Sequence, residues 1–148
     1  MNMANDRSLT VSKIIQADKA TIYKALTDQK IMEKWFCAGP DGWSSSVKNR
    51  ITAVGEPYEI HMHNNNGETH SHYGEYKEVI PNEKIVFSWS SQAVENTLVT
   101  ITLTDVADGT EVSLQHDFMP NEQMVQNHTN GWTVILDRLN KVIAAQLH

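Results

Sequence analysis

The sequence predicts an α+β fold in which a curved antiparallel sheet of about six or seven strands wraps around one long C-terminal helix. Three features lead there. Segments rich in β-branched residues follow one another from Val47 to Phe118, separated by short turn signals. Such short connections favour antiparallel neighbours, because a parallel pair needs a crossover of roughly a dozen residues or more. The stretch from Asn121 to Leu147 then carries apolar residues at helical spacing with no proline inside it. A sheet with one apolar face must cover it, and only this helix is large enough to do so.

The elements follow in order. Ser8–Gln16 is partly alternating and β-branched, and reads as a strand. A helix follows over Ala17–Asp28, with Asp18 as its N-cap and Ile22, Ala25 and Leu26 on one face. Asp28 can cap a second short helix, in which Ile31, Met32, Trp35 and Phe36 share a face. Cys37–Ser46 is turn-forming and reads as a loop. Strands are expected over Val47–Ala53, Pro57–Asn64, Thr69–Ile80, Lys84–Ser90, Thr97–Asp105 and Thr110–Phe118. Their breaks fall at Gly55, Asn66-Gly67, Pro81-Asn82 and Asp108-Gly109. The long helix places Met124, Trp132, Ile135, Leu136, Leu139, Val142, Ile143 and Leu147 at a period of 3.6. Gly131 is its weak point, costing about 1 kcal/mol relative to alanine.

Composition narrows the function. The 148 residues fit one domain spanning the chain, with enough apolar content to build a core. The net charge is −6 and no basic cluster exists, which argues against nucleic acid. The single cysteine, Cys37, precludes an internal disulfide and has no catalytic signature around it. The segment MNMANDRSLTVSK lacks an apolar signal region, and no apolar run approaches bilayer length. The expectation is a soluble cytoplasmic domain.

Several stretches together resemble a known family. They are ALTDQKIMEKWF (Ala25–Phe36), Gly55 before a strand, GEYKEVIPNEKIVFSW (Gly74–Trp89), VTITLTD with GTEVSLQHDF (Val99–Phe118), and GWTVILDRL (Gly131–Leu139). In order and spacing they resemble the START-like, helix-grip superfamily, and within it the single-domain bacterial relatives of the activator of Hsp90 ATPase. One departure is Glu56-Pro57, where family members usually carry a second glycine. Pro57 cannot donate to a ladder and belongs at a strand start. The resemblance implies a cavity between helix and sheet. Superfamily relatives bind lipids, hormones, polyketides and other hydrophobic molecules. Some are aromatase/cyclases, some sequester a toxic ligand, and the Hsp90 activator domain binds a chaperone. A shared fold does not choose among these.

Histidines are the chemistry most in view. Tyr58, Ile60 and Met62 alternate with Glu59, His61 and His63, so His61 and His63 should face solvent. Their neighbours depend on the next turn. A two-residue Asn66-Gly67 turn would set His61 and His63 opposite His72 and His70, a cluster able to hold Zn²⁺ or Ni²⁺. No supporting carboxylate or thiolate accompanies it. A three-residue Asn65-Asn66-Gly67 loop slips the register by one and turns His70, His72, Gly74 and Tyr76 inward. The resemblance favours this second register, because it puts the Gly74/Tyr76 pair on the cavity side; His72 then belongs to the pocket and His70 to its rim. His116 continues an apolar row with Val112, Leu114 and Phe118, either as a satisfied core histidine or as a ligand donor or acid/base group.

The favoured reading is a binder of a small hydrophobic or aromatic molecule. Apolar contact is expected from Trp35, Phe36, Tyr58, Ile60 and Met62, and from Trp89, Leu114, Trp132, Leu136 and Leu139. His72, Tyr76 and His116 are expected to orient a polar group, and His128, one turn before Trp132, to reach the same mouth. No cofactor, resident metal, nucleic acid or membrane insertion is expected, and the partners left open are the small molecule and a second copy of the chain in a homodimer. The alternatives are a cyclase- or hydrolase-type enzyme using a pocket histidine, and a module acting on an Hsp90-type chaperone.

Overall fold

The computed structural model describes residues 7–146. The chain runs β1 (Arg7–Ile15), α1 (Lys19–Thr27), α2 (Gln29–Trp35), β2 (Ser44–Lys48), β3 (Pro57–His63) and β4 (Thr69–Ile80). It continues with β5 (Lys84–Trp89), β6 (Thr97–Val106), β7 (Gly109–Met119) and α3 (Glu122–Gln146). The strands form one seven-stranded antiparallel sheet in the order β1-β7-β6-β5-β4-β3-β2. This is a helix-grip arrangement: β2 to β7 form a meander, β1 closes against β7, and α3 lies across the apolar face. Leu147 of the expected helical face lies outside the described residues.

Local chemistry accounts for the helix starts. The Asp18 carboxylate accepts the Thr21 N–H at 2.8 Å, and Asp28 accepts that of Ile31 at 3.1 Å. Asn121 plays the same part for α3, accepting from Met124 N–H at 2.9 Å. The apolar faces then meet. Ile22, Ala25 and Leu26 of α1, Met32 and Trp35 of α2, and Trp132, Ile135, Leu136, Leu139 and Ile143 of α3 are all buried. The Trp35 indole N–H donates to the Ala25 carbonyl at 3.0 Å and ties α2 to α1.

Two strand expectations need correction. The strand expected at Val47–Ala53 is instead β2 at Ser44–Lys48, so the expected loop ends earlier than Ser46. The ladder stops because Asn49 is drawn inward. Its amide donates to the Thr27 carbonyl (2.9 Å) and Thr52 Oγ1 (3.1 Å), and its Oδ1 accepts from the Tyr76 hydroxyl (2.7 Å). Phe118 does not continue the inward row of β7. It takes a left-handed φ of 69° and is 49% exposed, which hands the core position to the fully buried Met119. The β1–β7 register shifts at the same point.

The β3–β4 hairpin takes the three-residue loop. Met62 pairs with His70, Ile60 with His72 and Tyr58 with Gly74, while Asn64 N–H donates to the Glu68 carbonyl at 3.0 Å. Gly67 has φ 83°, the left-handed conformation that closes such a loop. This register puts His72 and Tyr76 on the helix side of the sheet.

Candidate functional site

The seam between helix and sheet is closed along the middle of α3, and a hollow of about 350 Å³ lies at its far end, between Ile14, Ile15, Gln16 and Asp108 and the last turns of α3. Beneath α2, between Leu26, Trp35, Phe36, Tyr58, Tyr76 and Phe87, a void of only about 20 Å³ remains. That is room for about one water molecule. Nearer the start of α3 the layers part, and an open pocket of about 210 Å³ lies between them. A cavity of roughly 150 Å³ can admit benzene, so this one is large enough for a small aromatic guest.

Each side of the pocket comes from a different element. Met62 and His72 rise from β3 and β4, and Trp89 stands at the end of β5. Ser91 and Ala93 follow in the β5–β6 connection, and Ala38 comes from the turn after α2. Asn127, His128, Gly131, Trp132 and Ile135 face it from α3. Arg138 holds the Ala38 turn to the helix, donating from Nη1 to the Cys37 carbonyl at 2.7 Å. A second hollow of about 190 Å³ shares His72, Ser91 and Ala93 and reaches outward to His70. The His70 ring is stacked on Trp43, with centroids 5.5 Å apart.

The wall is aromatic and incompletely satisfied. His72 stacks on Trp89 at 4.7 Å, and Trp89 meets Trp132 at 5.0 Å. Two buried polar atoms of this group, His72 Nδ1 and Trp89 Nε1, have no hydrogen-bond partner among the described residues. Buried polar atoms are nearly always paired, and an orphan costs about 1–3 kcal/mol. Burial pushes the His72 imidazole down to about 4, with His128, His70 and His61 adding to the effect and the Ile60 backbone opposing it. His72→Phe keeps a ring against Trp89 and removes the orphan. Chemical denaturation should therefore show this variant more stable at neutral pH by about 1 kcal/mol; an equally large loss would mean the imidazole is satisfied.

His116 is in the opposite condition. It is fully buried, and its Nδ1 accepts the Trp132 indole N–H at 2.9 Å. An indole nitrogen only donates, so the imidazole proton sits on Nε2. Nε2–H then donates to Thr97 Oγ1 at 2.7 Å, and the threonine hydroxyl donates in turn to the Trp89 carbonyl at 2.7 Å. Burial, with a smaller push from His128, holds the imidazole down to about 3. His116 is thus a neutral, saturated strut that sets the Trp132 ring in the pocket wall, with no free nitrogen for acid/base work.

The expected contact residues therefore divide. Met62, His72, Trp89 and Trp132 border the open pocket. Trp35, Phe36, Tyr58, Ile60 and Tyr76 surround the small void instead, where the side chains interlock. Trp35 and Phe36 stack at 4.8 Å, and Phe36 backs onto Trp89 and Trp132 at 5.9 and 5.7 Å. Leu114, His116, Leu136 and Leu139 are buried and border neither space. The hydroxyls of Tyr58 and Tyr76 are spent on the Ser88 carbonyl (2.6 Å) and Asn49 Oδ1 (2.7 Å). Burial raises both phenols, that of Tyr76 to about 12.

Sequence reasoning did not include Ala38, Ser91, Ala93, Asn127, Gly131 and Ile135 in the pocket wall. A signal existed at Gly131, a glycine held inside a helix at a cost. A Cβ there would meet only the Ala38 Cβ, at 3.4 Å. No neighbour demands a glycine; its missing side chain leaves space in the pocket.

On the outer face, His61 bonds Ser71 Oγ at 2.8 Å and Glu59 Oε1 at 3.0 Å. His63 bonds Thr69 Oγ1 at 3.0 Å and Ser46 Oγ at 2.9 Å. These imidazoles are tied into a polar ladder across β2, β3 and β4. Among the described residues no group of three or more His, Cys, Asp or Glu side chains is placed to hold a metal ion. No helix among them is long and apolar enough to cross a membrane.

The fold and its pocket define a helix-grip protein, a class that commonly takes hydrophobic ligands. Residues 16–144 match the family described as activator of Hsp90 ATPase homolog 1-like protein, and the chain belongs to that family. A crystal structure of a protein from Chromobacterium violaceum is similar, with TM-score 0.82 and 23% identity over 92% of this chain and 96% of that one. The solution structure of an AHSA1-like protein from Aeromonas hydrophila gives 0.81 at 18% identity, covering 95% and 94% of the two chains. A protein of the dynemicin biosynthetic locus matches 94% of this chain with 48% of its own, at TM-score 0.77 and 20% identity. At these identities the likeness is one of fold. No curated protein matches the chain.

Proposed function

We propose that this protein binds a small, planar, largely apolar molecule in the pocket between the first half of α3 and the β4–β5 end of the sheet. The observation that carries this reading is the open cavity of about 210 Å³ itself, walled by the stacked rings of His72, Trp89 and Trp132. An aromatic wall with few polar groups suits a guest with a large flat surface and few polar atoms. Trp89 and Trp132 supply rigid contact area at little entropic cost. His116 is saturated and borders neither space, so it supplies no acid/base group to the pocket.

Gly131 tests the reading. Gly131→Ala should stabilise the fold by about 0.5–1 kcal/mol, since the helix gains propensity and the new methyl meets only Ala38. Gly131→Leu should fold and yet fill the pocket. Thermal shift and titration calorimetry with a panel of planar aromatic compounds should show binding to the wild type and to Gly131→Ala, and at least a tenfold loss in Gly131→Leu. Binding that survives the leucine unchanged would place the ligand elsewhere; no binding to any form would end the proposal.

A further inference from the structure

Among the polar groups of the pocket, His128 has a fixed polarity. Its Nδ1 lies 2.8 Å from the Met124 carbonyl oxygen. A carbonyl only accepts, so Nδ1 carries the proton and Nε2 presents a lone pair. Nε2 has no partner among the described residues, and it is absent from the sealed, unpartnered atoms. It is therefore a reachable acceptor on a side chain that lines the pocket. Burial keeps this imidazole neutral in spite of the Met124 bond. Among the described residues no lysine or arginine borders the cavity. Of the other polar side chains, Ser91 Oγ already accepts from Ala93 N–H at 3.1 Å and Asn127 Oδ1 from Gln123 at 3.0 Å, which leaves them as donors and His128 as the free acceptor.

A carboxylate in this pocket would face the His128 lone pair with no cation to balance it, and a ketone or ether oxygen would face it with no proton to share. A hydroxyl meets it directly. We infer that His128 selects neutral planar compounds bearing an aromatic or enolic hydroxyl, whose O–H is donated to His128 Nε2. This rests on the pocket being a ligand site.

The probes are naphthol, methylnaphthalene, methoxynaphthalene and naphthoate, substituted at the same ring carbon and titrated into the full chain by calorimetry. Naphthol should bind about tenfold more tightly than methylnaphthalene or methoxynaphthalene, the worth of one buried hydrogen bond, and naphthoate should bind most weakly. In His128→Phe the naphthol and methylnaphthalene affinities should converge. The wild-type series decides the matter by itself should that variant not fold. If methylnaphthalene binds as tightly as naphthol, or naphthoate binds best, the hydroxyl preference is overturned and the pocket stands. If none of the four binds, pocket and preference fall together.

Discussion

Gly74→Ala is expected to destabilise the fold by about 3 kcal/mol or more, at the upper end of what overpacking costs. A Cβ at residue 74 would overlap the Ser88 carbonyl oxygen and approach Ser88 Oγ to 2.8 Å. Neither group can withdraw. The carbonyl accepts the Tyr58 hydroxyl at 2.6 Å, and Oγ accepts the Glu75 N–H at 3.0 Å. The ladder between β4 and β5 is interrupted here, between the Tyr73–Ser90 bridge and the Tyr76–Phe87 pair. Glycine at such a site permits a close backbone approach, and on the far side of it His72 enters the pocket wall. Thermal and urea denaturation measure the effect. A loss below about 1 kcal/mol would mean that β4 can shift without cost, and the geometry around Ser88 would not be the constraint described.

The second large effect is a loss of stability in mild acid. His116 and His72 are held down to about 3 and about 4 in the folded chain, chiefly by burial. An unfolded histidine titrates near 6.5. Between those values the unfolded chain binds protons that the folded chain refuses, so stability rises with pH and falls as pH drops. Each such histidine contributes a slope of about 1.4 kcal/mol per pH unit where only the unfolded state is protonated. The contribution is complete above about pH 7 and is lost from pH 6.5 downward, ending near 3 for His116 and near 4 for His72. His128, also lowered by burial, acts in the same direction. Urea denaturation at a series of pH values should show a steep decline between pH 6.5 and pH 5, and His72→Phe should remove one histidine's share. A flat profile over that range would require an open, hydrated environment for His116, contrary to its saturation by Trp132 and Thr97.

Much of the fold was legible in the chain because its signals are local. Asp18 and Asp28 each accept from the N–H three residues on, and that geometry depends on little else. The hairpin register follows from a glycine able to take φ 83° at the third loop position, although the choice between the two loops drew on family likeness rather than on turn chemistry alone. Where a long-range contact overrode the pattern, the reading slipped. Asn49 looked like the middle of a strand and is instead a buried hub joining Thr27, Thr52 and Tyr76. Phe118 kept the alternation of its strand on paper, and a left-handed residue at the β1–β7 irregularity moved it outward.

Alternation and helical spacing by themselves determined that one apolar face of a sheet meets one apolar face of a helix, because burial follows periodicity. They did not decide where that seam stays open. Trp35, Tyr58 and Tyr76 carry the same inward signal as Met62, His72 and Trp89, yet the first group locks together around room for one water and the second borders a cavity. The difference comes from volume and from pairing in three dimensions. The hydroxyls of Tyr58 and Tyr76 found partners in the Ser88 carbonyl and Asn49, while His72 Nδ1 and Trp89 Nε1 found none among the described residues, and beside them the helix presents a glycine where a side chain would have filled the gap.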